Sequence, residues 1–119
     1  RYLCNVVFVE KDPLASSNLK KNIINLKLAS RVKIISQDTE NYLKKFNYED
    51  KFDLIFLDPP YKDISFLSII ALIKKKKIFN KNHKVIIHRE RSCEEVFHDY
   101  LKVDLEKYYG RSKIIFGSF

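Results

Sequence analysis

Apolar residues along the 119-residue chain fall into short blocks, separated by stretches whose apolar positions recur at helical spacing. Val6 to Val9, "VVFV", is a β-branched and aromatic run that ends in charged residues and reads as a buried strand. Asp12-Pro13 then has the form of a helix N-cap followed by proline at the first helical position, where a missing N–H costs no hydrogen bond. Ala15, Leu19, Ile23 and Leu26 share one face of the helix expected next. "RVKIISQD" predicts a second strand from Val32 to Ser36, and Thr39 to Phe46 a short helix. Asp53 to Leu57, "DLIFL", is the third and most apolar strand, and it runs directly into Asp58. Ile64 to Ile73 read as a helix, and the Lys74–Lys77 block after it reads as a solvated terminus suited to the negative end of the helix dipole. "KVIIHRE" is a fourth strand. Ser92 with Glu95 has capping-box spacing and predicts a helix through about Tyr100. "LKVDLEKYY" and "SKIIFGSF" flank Gly110-Arg111, which predicts an antiparallel hairpin.

Strand and helix alternate until that hairpin, so the expected fold class is an open α/β sheet, mainly parallel, with an antiparallel C-terminal hairpin. Ligands of such sheets bind outside the carboxyl ends of the strands. The rule picks out Glu10, Asp38, Asp58 and the residues near His88.

The formal net charge of +8 makes an anionic partner plausible, nucleic acid first, although a chain crowded with lysine, isoleucine and asparagine can owe that surplus to the base composition of its genome. With 45% hydrophobic residues the chain can build a small core, and a single domain is expected over residues 1–119. Cys4 and Cys93 lie far apart without metal-ligand spacing and read as free thiols of a reducing cytosol. No apolar stretch approaches the roughly 18 residues that span a bilayer, and no signal-peptide pattern precedes the first strand, so a cytoplasmic protein is expected. His83, His88 and His98 are scattered, which predicts no metal site, and no G-x-S-x-G elbow indicates a hydrolase.

The three strand-end carboxylates carry the chemistry. Glu10 can accept from both hydroxyls of a ribose, and Asp38 from an exocyclic adenine amine, though Asp38 can equally cap the helix beginning at Thr39. Asp58-Pro59-Pro60-Tyr61 is more specific. Two adjacent prolines set a rigid, extended turn whose carbonyls have no ladder partner. A carboxylate oxygen of Asp58 and a main-chain carbonyl, that of Pro59, can accept both protons of a planar NH2 group, while Tyr61 offers a face for the base that carries it. Such a loop suits methyl transfer to an exocyclic nitrogen, where orientation supplies on the order of several kcal/mol.

At these residues the chain resembles the class I S-adenosylmethionine-dependent methyltransferases with an (Asp/Asn)-Pro-Pro-(Tyr/Phe) motif. Within them it is most similar to the RsmD-type family, which methylates the N2 amine of a guanine in 16S ribosomal RNA. "VVFVEKD", then "FDLIFLDPPY", then "YYGRSKIIFGSF" follow that family's order. The resemblance implies a Rossmann-like sheet, S-adenosyl-L-methionine as cofactor, and 16S rRNA or the small ribosomal subunit as partner of a monomeric enzyme. It implies Glu10, Lys11, Asp38 and Thr39 as cofactor-binding residues and Asp58 to Tyr61 as the catalytic loop. Tyr61, Lys62, Arg89, Arg91 and Arg111 are the expected nucleic-acid contacts.

The chain departs from the family in one respect. Its two glycines, Gly110 and Gly117, both lie near the end, so the family's glycine-rich loop and the first strand before it have no counterpart. The expectation is therefore a partial methyltransferase domain, the C-terminal portion of a longer protein, inactive by itself. Two other functions fit the motif or the charge: an adenine-N6 or cytosine-N4 DNA methyltransferase, and a non-catalytic RNA-binding remnant.

Overall fold

The structure, a computed structural model, describes residues 4–47, 49 and 51–119. Its contacts divide the chain into two compact units, Arg1–Lys45 and Phe46–Phe119.

The first unit is a β-α-β-α segment: β1 (Val6–Val9), α1 (Pro13–Asn25), β2 (Val32–Ile35) and α2 (Thr39–Lys44). The two strands pair in parallel with Val6 opposite Val32 and Val9 opposite Ile35. Asp12 caps α1 as its sequence implies, with Oδ2 accepting the Ala15 N–H at 2.7 Å and Pro13 opening the helix. Ile23 is buried on α1, but Leu26 is exposed beyond the helix, because the backbone at Lys27 turns into the left-handed region at φ 56°. Asp38 caps α2 through Oδ2, which accepts the N–H groups of Glu40 and Asn41. Leu43 is the buried residue of that helix.

The second unit is a four-stranded sheet with one α-helix. Its elements are β3 (Phe52–Leu57), α3 (Phe66–Lys76), β4 (Phe79–Glu90), β5 (Lys102–Tyr109) and β6 (Ser112–Ser118), in the spatial order β3-β4-β6-β5. β3 and β4 are parallel, while β6 is antiparallel to both β4 and β5. The core joins Phe66 and Ile70 of α3, Val85 and Ile87 of β4, Ile115 of β6, and Phe97 and Leu101 of the segment before β5. The opposite parity of β3, Leu54 and Phe56, is exposed. α3 closes with Lys77 at φ 51°, its N–H bonded to the carbonyls of Ile73 and Lys74, and the preceding lysines fill the last turn. None of the described helices is long and apolar enough to cross a membrane.

Around β4 the structure departs from the sequence expectation in two places. β4 starts five residues earlier than "KVIIHRE", since Phe52 pairs with Phe79 and Asn80 donates to Asp53 Oδ1 at 2.8 Å. No helix forms from Ser92 to Tyr100; the segment is irregular, with turns at 91–92 and 98–100. The Glu95 carboxylate that would have completed the capping box is taken by Arg89, and the Cys93 N–H bonds to the Glu90 carbonyl.

Gly110 supplies the positive φ of the hairpin turn, 56°. Gly117 is needed for space: a Cβ there would collide with the Leu101 side chain and the Lys102 carbonyl. Gly117→Ala is expected to destabilise the protein by about 3 kcal/mol through forced separation of β6 from β5. Urea denaturation measures this, and an unchanged midpoint would refute it.

Candidate active site

In the first unit, Glu10 and Asp38 follow the carboxyl ends of two paired parallel strands. Glu10 Oε1 accepts the Asp12 N–H at 2.8 Å, and the Glu10 N–H continues the ladder to the Ile35 carbonyl. Each acid thus gives one oxygen to the backbone, Oε1 of Glu10 and Oδ2 of Asp38, which sets its orientation. Lys11 is exposed next to Glu10, and Thr39 is the half-buried first residue of α2. The four residues expected to hold a cofactor therefore stand at one end of one two-stranded sheet.

In the second unit, Asp58 directly follows β3, and the turn through Tyr61 leaves its side chain 58% exposed. Asp58 Oδ1 lies 2.8 Å from His88 Nδ1, and His88 Nε2 lies 3.0 Å from Ser112 Oγ. The Tyr61 ring is exposed and meets the imidazole edge-on, with centroids 6.0 Å apart at 85°.

Arg89 holds the loop from below. Its Nη1 donates to the carbonyls of Pro60 at 2.9 Å and Pro59 at 3.4 Å, and its Nη2 to that of Tyr61 at 2.9 Å. The guanidinium also pairs with Glu95 and sits 4.4 Å over the Phe66 ring. Five fixed donors in a plane suit three successive carbonyls, which a lysine could not span. Pro60 also accepts the Asp63 N–H at 3.0 Å, so its carbonyl is fully engaged. Among the described residues the Pro59 carbonyl has only the long contact and keeps acceptor capacity. Cys93 Sγ approaches the Tyr61 carbonyl at 3.7 Å, and buried Lys113 donates to the Cys93 carbonyl, tying the segment after β4 to the same turn.

Arg89 is therefore not a phosphate contact, contrary to the expectation from its charge. Its side chain is 0% exposed, and its donors are spent within the protein. The other basic residues expected to contact nucleic acid, Lys62, Arg91 and Arg111, are on the surface. Arg91 lies 5.0 Å over the Tyr108 ring, and Arg111 donates to Glu90 Oε1 at 2.6 Å. The hydrogen bond from Arg111, assisted by its charge, holds the Glu90 carboxyl below its ordinary value. The modest stability from this exposed pair is present above the unfolded-state pKa of Glu90 and fades as pH falls through the lowered one.

Sequence reasoning missed the pairing of His88 with Asp58, and it misplaced Arg89. Strand parity contained both signals. Val85, Ile87 and Arg89 share one face of β4, so Arg89 lies on the buried side, whereas His88 lies on the other face beside the end of β3. Among the described residues, no group of three or more His, Cys, Asp or Glu side chains could hold a metal ion.

A family model described as "Conserved hypothetical protein 95" matches residues 1–118. Ribosomal RNA small subunit methyltransferase D of Buchnera aphidicola subsp. Acyrthosiphon pisum is 34% identical over 91 residues, 76% of this chain and 47% of its own. Its namesake from Haemophilus influenzae is 30% identical over 87 residues, 72% of this chain and 45% of its own. The chain thus spans about half the length of the curated relatives it matches. A solved structure of a conserved hypothetical protein from Streptococcus pyogenes superposes with a TM-score of 0.85 at 26% identity, covering 99% of this chain and 73% of that one.

Proposed function

The chain belongs to the conserved hypothetical protein 95 family, the RsmD-type methyltransferases, and from that premise we propose that it is part of an enzyme that methylates the exocyclic N2 amine of a guanine in 16S rRNA. The observation that carries the reading is the Asp58–Tyr61 turn. A carboxylate and an aromatic ring stay open to solvent there, on a backbone that buried Arg89 holds by three carbonyls.

Asp58 would accept one N–H of the amine and stabilise the positive charge that develops on nitrogen during methylation, until the surplus proton is lost to solvent. The Pro59 carbonyl, with its remaining lone pair, accepts the second N–H. Tyr61 stacks on the base, which is read from an unpaired or flipped-out position. The rigid turn contributes by orientation, because it holds the nitrogen lone pair on one line of approach.

S-adenosyl-L-methionine, when bound, supplies the electrophilic methyl group. Two carboxylates oriented by the backbone at the ends of adjacent parallel strands fit its adenosine part: Glu10 for the ribose hydroxyls and Asp38 for the adenine amine, with Lys11 and Thr39 beside them. The family's glycine-rich loop has no counterpart among these 119 residues, so the chain by itself is expected to bind the cofactor poorly. Lys62, Arg91 and Arg111 are the surface cations assigned to phosphate contacts.

The test is transfer of a labelled methyl group by the full-length protein carrying this chain. The substrates are small ribosomal subunits and naked 16S RNA from cells lacking the enzyme, and the modified base is then mapped. Label on guanine N2 is expected. Label on adenine N6 or cytosine N4 would reassign the acceptor, and RNA binding without transfer would leave a non-catalytic remnant.

A further inference from the structure

We propose that His88 is a positioning residue for Asp58, holding one carboxylate oxygen through Nδ1–H so that the other is presented to the amine. This inference rests on the functional reading above. Parallel pairing of Leu57 with Ile87 brings the next residue of each strand together, Asp58 beside His88. Antiparallel pairing of Glu90 with Ser112 brings the Ser112 hydroxyl to the far side of the ring. His88 thus touches both residues that the amine would meet, Asp58 by a hydrogen bond and Tyr61 by a ring edge.

The ring's tautomer follows from its partners. An ionised carboxylate only accepts, so in a neutral imidazole the proton must sit on Nδ1; Nε2 then accepts from the Ser112 hydroxyl, which can donate or accept as required. Exposure gives this bond its importance. Asp58 is 58% exposed and could rotate freely, whereas His88 is 21% exposed and held at both nitrogens. An oxygen tied to the less mobile ring removes the rotamers of Asp58 in which neither oxygen faces the base. No proton passes along the chain of three groups, since Nδ1 already carries one; His88 acts only through Asp58.

Two variants of the full-length protein, matched first for thermal melting, separate this role from simple packing. His88→Phe keeps a ring but has no donor, and is expected to lower kcat about tenfold with KM for the RNA nearly unchanged. His88→Asn offers an amide N–H near the position of Nδ1 and is expected to recover most of that loss. Nitrogen-15 NMR provides a readout that does not depend on activity. Wild-type His88 is expected as the Nδ1–H tautomer, and Asp58→Ala is expected to release it toward Nε2–H. A wild-type Nε2–H tautomer, unchanged kcat in His88→Phe, or equal losses in both variants would each overturn the proposal. If the wild-type protein transfers no methyl group, the functional reading falls, while the tautomer still decides whether His88 holds Asp58.

Discussion

Arg89→Met is expected to destabilise the protein by about 3–5 kcal/mol and to abolish methyl transfer together with it. The guanidinium is 0% exposed and is the common donor to the carbonyls of Pro59, Pro60 and Tyr61. Methionine fills much of the volume against Phe66 but donates nothing. It leaves the carbonyls of Pro59, Pro60 and Tyr61 without their shared donor and the mostly buried Glu95 carboxylate without its charge partner. For a domain whose whole stability is about 5–15 kcal/mol, that is a large fraction. The double variant Arg89→Met/Glu95→Leu is expected to regain much of the stability, because no unpaired charge remains buried, yet to stay inactive, because the turn still lacks its donor. Urea denaturation and methyl-transfer assays on both variants separate the two effects. A single variant as stable as wild type, or an active double variant, would show that the turn does not depend on Arg89.

Asp58→Ala is expected to reduce kcat by about 10²–10³-fold, the usual scale for removing one preorganised group that stabilises transition-state charge. Stability should hardly change, since the side chain is mostly exposed and its partner His88 keeps the bond to Ser112. RNA affinity should also persist, because Tyr61 and the surface cations remain. Asp58→Asn is expected to fall between the two: the amide oxygen still accepts the amine N–H but carries no charge. Retention of more than a tenth of the activity in Asp58→Ala would remove Asp58 from the chemistry.

Local chemistry made the order of elements legible. Asp12-Pro13 starts a helix and Gly110 turns a hairpin for reasons contained within a few residues, and both are where the sequence puts them. The same kind of reasoning failed for Ser92 and Glu95. Their spacing is a valid capping box, but a charge-assisted bond to a buried arginine outweighs a surface cap, and the segment stays unwound. It failed again for Arg89, whose charge pointed outward while its strand parity pointed inward.

The sequence alone determined the alternating strands and helices, the hairpin, and an Asp-Pro-Pro-Tyr turn after an apolar strand, because each depends on backbone preferences and period over a short span. Tertiary structure alone decided that His88 stands at Asp58 and that Arg89 lies under the turn. Those pairs are 30 residues apart or nearly so, and they meet through the parallel register of β3 and β4. Side-chain alternation says which face a residue takes, but only that register says which residue it faces across the strands.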